Sequence, residues 1–323
     1  MNERFESILK TVSKPGRYAG GEYGQVIKDK EKVKARFAFC FPDTYEIGMS
    51  NLGVRILYGC LNREDNVWCE RVYAPWVDME EKMREYGLPL TAHESGDPIK
   101  DFDFVAFTLQ YELCYTNVLN MLDLAGIPLH TSERGEDSPI IVGGGPCAYN
   151  PEPLADFFDC FSIGEGEEHL PELTRLYIRM KEDGSYTRSA FLHEAARSIP
   201  GTYVPSLYDV EYNPDGTVKS YTPKYDDVPP RVRKRIITDL DSVYYPTYPL
   251  MPYIETVHDR IVLEVYRGCI RGCRFCQAGM VYRPVREKSP DVLCRNAKCL
   301  YESSGYDEIS MTSLSISDYS RLR

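Results

Sequence analysis

From residue 35 onward the chain sets short apolar runs against stretches whose apolar positions recur every three or four residues. Residues 36–42, Arg-Phe-Ala-Phe-Cys-Phe-Pro, predict a buried strand, and residues 49–61 predict a helix with Leu52, Ile56 and Cys60 on one face. Residues 67–73 predict a second strand. Asp78, three residues before Glu81, marks a helix N-cap with an acidic partner, and that helix is expected to end near Gly87. Residues 102–109 predict a third strand, followed by a helix with Val118, Met121, Leu122 and Ala125 on one side and a stop at Gly126. Residues 140–142, running into Gly143-Gly-Gly145, and residues 160–163, running into Gly164, predict the fourth and fifth. Strands alternating with helices point to a doubly wound parallel sheet, which takes its ligands outside the strand carboxyl ends. The expected binding loops therefore begin at Asp43, Thr108, Gly143 and Gly164.

A smaller β element is predicted next. Residues 202–205 and 208–212, the turn Asn213-Pro-Asp-Gly216 and residues 218–222 form a hairpin pattern. Residues 224–259, rich in Pro and Tyr, read as a connector. Ile261 to Val265 then opens a second region, in which Ser289-Pro290 supplies a cap and a first-turn Pro for a helix presenting Leu293, Ala297 and Leu300 and ending near Gly305. Residues 308–312 predict the next strand. The expected organisation is an arm at 1–34, an α/β domain at 35–200, a hairpin and connector at 201–259, and a second strand–helix region at 260–323.

Charge narrows the picture. With 38 Lys and Arg against 49 Asp and Glu, the net charge of −11 argues against an extended nucleic-acid surface. The basic run Arg231-Val-Arg-Lys-Arg235 follows Pro229-Pro230 and reads as a solvated linker face. The first ten residues carry acids and no apolar segment, unlike a secretory signal, and no apolar run is long enough to span a bilayer. Eleven cysteines, an odd number, without an export signal read as reduced thiols in a cytoplasmic protein.

The candidate chemistry lies in Cys269, Cys273 and Cys276, which stand as Cys-x3-Cys-x2-Cys among Gly268, Gly272, Arg267, Arg271 and Arg274. An iron–sulfur cubane takes one Cys per iron, so three thiolates leave one iron open to a ligand. The alternatives are a structural zinc site and inert thiols. Zinc needs four closed ligands, and Cys294 and Cys299 fall within the predicted helix at a spacing that forms no knuckle.

The spacing, Phe275 before the last Cys and the preceding strand pattern Ile261-Val-Leu-Glu-Val265 resemble the radical S-adenosylmethionine enzymes. The resemblance implies a 4Fe-4S cluster on Cys269, Cys273 and Cys276. It implies that S-adenosylmethionine chelates the open iron and is cleaved reductively to a 5'-deoxyadenosyl radical, with the backbone near Phe275 beside the adenine. Thr312 and Ser313 stand where the family often has a Gly-Gly-Glu-like segment touching the methionine amino group. An electron donor such as flavodoxin or ferredoxin is also implied; the substrate is not.

Further stretches extend the likeness: Lys14 to Glu22, Pro42 to Gly53, Glu70 to Trp76, Leu109-Gln-Tyr-Glu-Leu113 and Gly144-Gly-Pro-Cys147. With the Cys loop they resemble an uncharacterised bacterial family of radical S-adenosylmethionine proteins with a cobalamin-binding-like N-terminal domain. Asp43-x-Tyr45-x-x-Gly48 is similar to a cobalamin loop with Tyr in place of the cobalt-ligating His, Thr108 stands in a Ser-x-Leu position, and Gly143-Gly144 stands where glycines close over the nucleotide tail. A neutral phenol is a poorer metal ligand than imidazole, so a cobalamin here would lack His on cobalt. The fold implied is α/β, an N-terminal doubly wound parallel sheet plus the first part of a radical SAM partial (β/α) barrel. Such a barrel has six strand–helix units, each on the order of 30 residues, and the chain holds one unit and one further strand, which implies a truncated barrel.

Three functional readings follow: a radical enzyme with cobalamin-assisted methyl transfer, a radical enzyme whose first domain is a substrate or partner module, and a non-catalytic binding fragment. Gly164-Glu-Gly-Glu-Glu168 lacks the third Gly of a dinucleotide fingerprint, and its acids would repel a pyrophosphate. The five histidines show no metal spacing and read as surface or hydrogen-bonded residues, with His258 a weak candidate for the rim of the site. Cys40, Cys60, Cys114, Cys147 and Cys160 read as structural, and Cys294 is expected to be buried beside the apolar helix face.

Overall fold

The computed structural model describes residues 3–322, so the first two positions of the expected arm and the last of the expected barrel segment lie outside the described residues. The central sheet takes β1 (Ala35–Phe41) from the aromatic-rich run, buried on both faces except at Arg36. With β2 (Val67–Tyr73), β3 (Phe104–Thr108), β4 (Ile140–Gly144) and β5 (Cys160–Ser162) it forms parallel pairs in the order β2-β1-β3-β4-β5. Continuous apolar strands suit a parallel sheet covered on both faces. A sixth strand, β6 (Thr202–Tyr203), pairs antiparallel with β5. Strand order reverses between β1 and β3, which puts a switch-point crevice at their carboxyl ends.

The helices between these strands follow the apolar periodicity: α2 (Tyr45–Ser50), α3 (Leu52–Asn62), α4 (Val77–Tyr86), α5 (Tyr115–Ala125), α6 (Gly166–Asp183) and α7 (Arg188–Ser198), after α1 (Glu3–Leu9) in the arm. Two local expectations are corrected. The helix expected over 49–61 is broken at Asn51, whose side chain accepts the Val54 N–H and caps α3. Asp78 lies inside α4 behind an N-cap at Trp76, and its carboxylate accepts the N–H groups of Ser13 and Met79. The four residues expected on the inner side of α5 are buried, and Gly126 ends that helix in the left-handed region.

β2 is an edge strand in which every residue is buried. The arm and the 91–97 loop cover it: Trp68 Nε1 donates to Val26 O at 3.0 Å, and the His93 N–H donates to Arg71 O at 2.8 Å. The Arg71 guanidinium, wholly buried, bonds Glu94 at 2.6 Å and Glu22 at 3.0 Å, and Glu22 also meets Tyr45 and His93. Covering an edge in this way removes a row of backbone groups that would otherwise pair with other chains.

The hairpin forms as β7 (Tyr208–Tyr212) and β8 (Val218–Pro223). The basic run is not a purely solvated face. Arg231 and Arg233 are exposed, but the Lys234 ammonium donates to Val281 O, and Arg235 pairs with Glu168 and Glu172, both at 2.7 Å. These residues sit beside the acidic α6 start, which neutralises them.

The second region has β9 (Ile261–Glu264) and β12 (Ile309–Thr312) as a parallel pair joined through α9 (Pro290–Ser304), whose cap is Ser289. Between them β10 (Tyr266–Arg267) and β11 (Arg286–Glu287) pair antiparallel and bracket the Cys loop and α8 (Ala278–Val281). Ile261, Leu263 and Leu300 pack with Ile56 and Cys60 of α3, so the apolar face expected on residues 49–61 serves as the seat of the second region. Among the described residues no helix is long and apolar enough to cross a membrane.

Candidate functional site

The carboxyl ends of both sheets face one cleft of about 440 Å³. Thr108 of β3, Gly143 and Gly144 of β4 and Ser162 of β5 line one wall; Glu264 of β9 and Thr312 and Ser313 after β12 line the other. The parallel register that sets Thr312 beside Glu264 brings both strand ends to the same side. The hydroxyls of Ser162 and Ser313, on opposite walls, are buried without a hydrogen-bond partner. A buried donor left unmade costs free energy, so these two atoms mark a cleft built to meet polar groups of a ligand or ordered water.

Arg267 joins the walls. It immediately precedes the Cys loop, is largely buried, and pairs with Glu167 at 2.6 Å, Glu264 at 2.8 Å and Glu165 at 3.2 Å. Arg286 adds a 2.6 Å pair to Glu165, and Lys288 a 2.8 Å pair to Glu264. Burial alone would push the Glu264 carboxyl up, but Arg267 and Lys288 outweigh it and hold it at about 2. Burial opposes the charge on Arg267 as well, and Glu167 and Glu264 reverse that and raise it well above its ordinary value. The Gly164–Glu168 loop is therefore a clamp on the Cys loop. Its acids alone, just beyond a predicted strand, were the signal available in the sequence; their cationic partners lie about a hundred positions away.

Gly268 follows with φ +94°, and a Cβ there would stand 2.4 Å from Pro284 O, so the loop can close against residue 284 only with glycine. Cys269 is half-buried, and Cys273 and Cys276 are exposed; all three are free thiols. The six cysteines of the sheet region are sealed, and burial pushes their thiols up, Cys60 to about 12 and Cys147 to about 11. Cys294 is exposed, against expectation: the buried face of α9 runs through Val292, Asn296 and Leu300, and residue 294 points away from it. Among the described residues no three His, Cys, Asp or Glu groups converge as for one metal ion. A cubane sets each thiolate on a different iron, so three free thiols on one anchored loop fit that group without a single-ion cage.

The structure divides the other expected residues. Thr312 and Ser313 line the cleft, whereas Phe275 is 94% exposed and stands outside it. Thr108, Gly143 and Gly144 line it; Asp43, Tyr45 and Gly48 do not. Asp43 accepts the Tyr111 hydroxyl at 2.8 Å. Tyr45 is buried with its hydroxyl on Glu22 at 2.9 Å, and burial raises its pKa. A Cβ on Gly48 would meet the Tyr73 ring at 2.4 Å, so this glycine serves internal packing. Gly143 does likewise against Phe161, at 2.6 Å, while Gly144 has room. Asn51, Leu52 and Gly53 at the start of α3 line the cleft and were not singled out from the sequence. His258 is exposed and does not line it; His169 is buried on Thr202 at 2.8 Å, and burial lowers its pKa to about 3.

Comparison with known proteins came to three findings. Residues 53–205 match the family described as radical SAM proteins, N-terminal. An uncharacterised protein of Methanocaldococcus jannaschii is 26% identical over 291 residues, 89% of this chain and 51% of that protein. Two structures of the radical S-adenosylmethionine methyltransferase TsrM from Kitasatospora setae each align with 87% of this chain and 48% of theirs. The one with cobalamin and a [4Fe-4S] cluster bound is 12% identical with a TM-score of 0.50, and the one with tryptophan and a SAM analogue is 15% identical with 0.46. The chain thus spans about half the length of these relatives, and the likeness to TsrM is one of fold.

Proposed function

We propose that this chain, whose residues 53–205 match the radical SAM N-terminal family, forms the cluster-bearing half of a radical S-adenosylmethionine enzyme whose reaction chamber is the cleft between its two regions. The observation that carries the proposal is the position of the three free thiols. They sit on a loop anchored by Arg267 that leaves the wall of the cleft at Gly268, where two sets of strand carboxyl ends meet.

Cys269, Cys273 and Cys276 would hold a 4Fe-4S cluster, which when bound supplies the electron that cleaves S-adenosylmethionine to a 5'-deoxyadenosyl radical. The chain's own part is binding and exclusion. Ser162, Ser313 and Thr312 offer hydroxyls to a polar ligand, and the internally neutralised clamp of Glu165, Glu167 and Glu264 with Arg267, Arg286 and Lys288 fixes the loop without presenting net charge to it. An external one-electron donor such as flavodoxin or ferredoxin would reach the cluster from the exposed side of the loop, where Phe275 stands free.

The cobalamin-independent reading is favoured by one set of placements. The Asp43–Gly48 loop, which would approach a corrin, is occupied with partners inside its own region, and Tyr45 is locked onto Glu22. The residues of that loop do not fit a cobalt ligand, and no step is assigned to cobalamin. The first domain then acts as the substrate or partner wall of the cleft.

Anaerobic reconstitution with iron and sulfide tests both points. The expected result is cluster absorption and an electron paramagnetic resonance signal that shifts on addition of S-adenosylmethionine, both lost when the three cysteines are changed to alanine. Preferential zinc uptake, or iron retained by the triple variant, would falsify the cluster assignment. Incubation with hydroxocobalamin followed by gel filtration is expected to leave no corrin band; a stoichiometric band would restore the cobalamin reading.

A further inference from the structure

A second cavity, of about 200 Å³, lies on the far side of α3, between that helix, the connector at 244–250 and the start of β9. Its titratable lining is one-sided. Arg55, Arg63 and Arg260 contribute to it, and no Asp or Glu does, in a chain whose net charge is −11. Tyrosines 58, 244, 245, 248 and 306 contribute to the remaining wall.

Two of the three cations form no ion pair among the described residues. Arg260 pairs with Glu308 at 3.3 Å. Arg55 uses Nε and Nη2 on a single carbonyl, Met49 O, at 2.9 and 2.6 Å, and its remaining donors meet no protein acceptor among the described residues. Arg63 lies over the Tyr244 ring, 5.4 Å from its centre, and has no ion pair among the described residues. The Tyr244 hydroxyl also lacks a protein partner among the described residues; it stands over Gly59, where a Cβ would approach it to 2.1 Å. A glycine inside a helix is unfavourable relative to alanine, and here it admits that ring. Burial pulls the Arg55 guanidinium below its ordinary value, and the phenols of Tyr306, Tyr73 and Tyr245 offset only part of it.

We propose that this pocket is a binding site for a small organic anion, a carboxylate or phosphate met by Arg55 and Arg63 with its carbon part against the tyrosines. Guanidinium groups match both oxyanions through paired N–H donors, and a desolvated cation without a counter-ion gains most from receiving one. The volume, about that of seven waters at ~30 Å³ each, suits an oxyanion with a ring or short chain. The site is separate from the cleft and independent of the cluster, so its test does not depend on the reaction proposed above.

Isothermal titration of the 323-residue chain with inorganic phosphate and, separately, with benzoate in a chloride-poor zwitterionic buffer tests it. Saturable one-to-one binding of at least one probe is expected, and the tighter probe identifies the source of the oxyanion. Arg63→Gln, at an exposed position, should weaken it at least tenfold, and Arg55→Lys, which keeps the charge but loses the fork, should weaken it by a similar factor. The proposal is overturned if neither probe saturates, or if both variants, with unchanged circular dichroism, bind as the parent does.

Discussion

The sheet region and the β9–β12 region are built on different terms. Around the six-stranded sheet one continuous apolar core runs from the arm through α7 to the hairpin. The second region has two small clusters, one of which borrows Ile56 and Cys60 from α3. It is held to its neighbour by that patch and by ion pairs through Arg267. Cysteines follow the same division, sealed in the first region and half-buried or exposed in the loop of the second.

The sharpest way to break the comparison is Arg71→Met. It strands Glu22 and Glu94 in the interior of the first region, and a loss of about 3–5 kcal/mol is expected in urea unfolding followed by tryptophan fluorescence. Trp68 and Trp76, the two tryptophans, both report on that region. Leu263→Ala removes apolar contact from the borrowed patch at a cost of about 2–5 kcal/mol. Its expected signature is selective: proteolysis of the second region should accelerate while the tryptophan transition holds its midpoint. A shift of that midpoint equal to the one from Arg71→Met would show a single cooperative unit instead.

Arg267→Gln addresses the clamp. It leaves the Glu165, Glu167 and Glu264 carboxylates short of cation, and cluster loading should fall several-fold with the tryptophan transition unchanged. Because the folded pKa of Glu264 is depressed to about 2, its contribution is present above the unfolded value near 4.5 and is lost as pH falls from there toward 2. Docking of the second region, followed by protease sensitivity across that window, should weaken on acidification. The smallest effect belongs to His169. Its folded pKa near 3 means that the unfolded chain takes a proton first, so the first region loses stability as pH falls from about 6.5 to 3. His169→Gln should flatten that part of the profile.

Much of the frame was legible because it is local. β2 spans the residues 67–73 read as a strand, α5 stops at Gly126 and α9 starts behind Ser289, since local pattern and caps act within a few residues. The three cysteines stood out for the same reason: their spacing lies in one loop. Tertiary structure decided what depended on distant partners. Nothing near Tyr45 announces Glu22 beneath it, nothing near Glu167 announces Arg267, and nothing near Arg55 announces that it meets a carbonyl and, among the described residues, no carboxylate. Backbone preference is set by neighbours in the chain, whereas the charge and exposure of a side chain are set by whatever the fold brings against it.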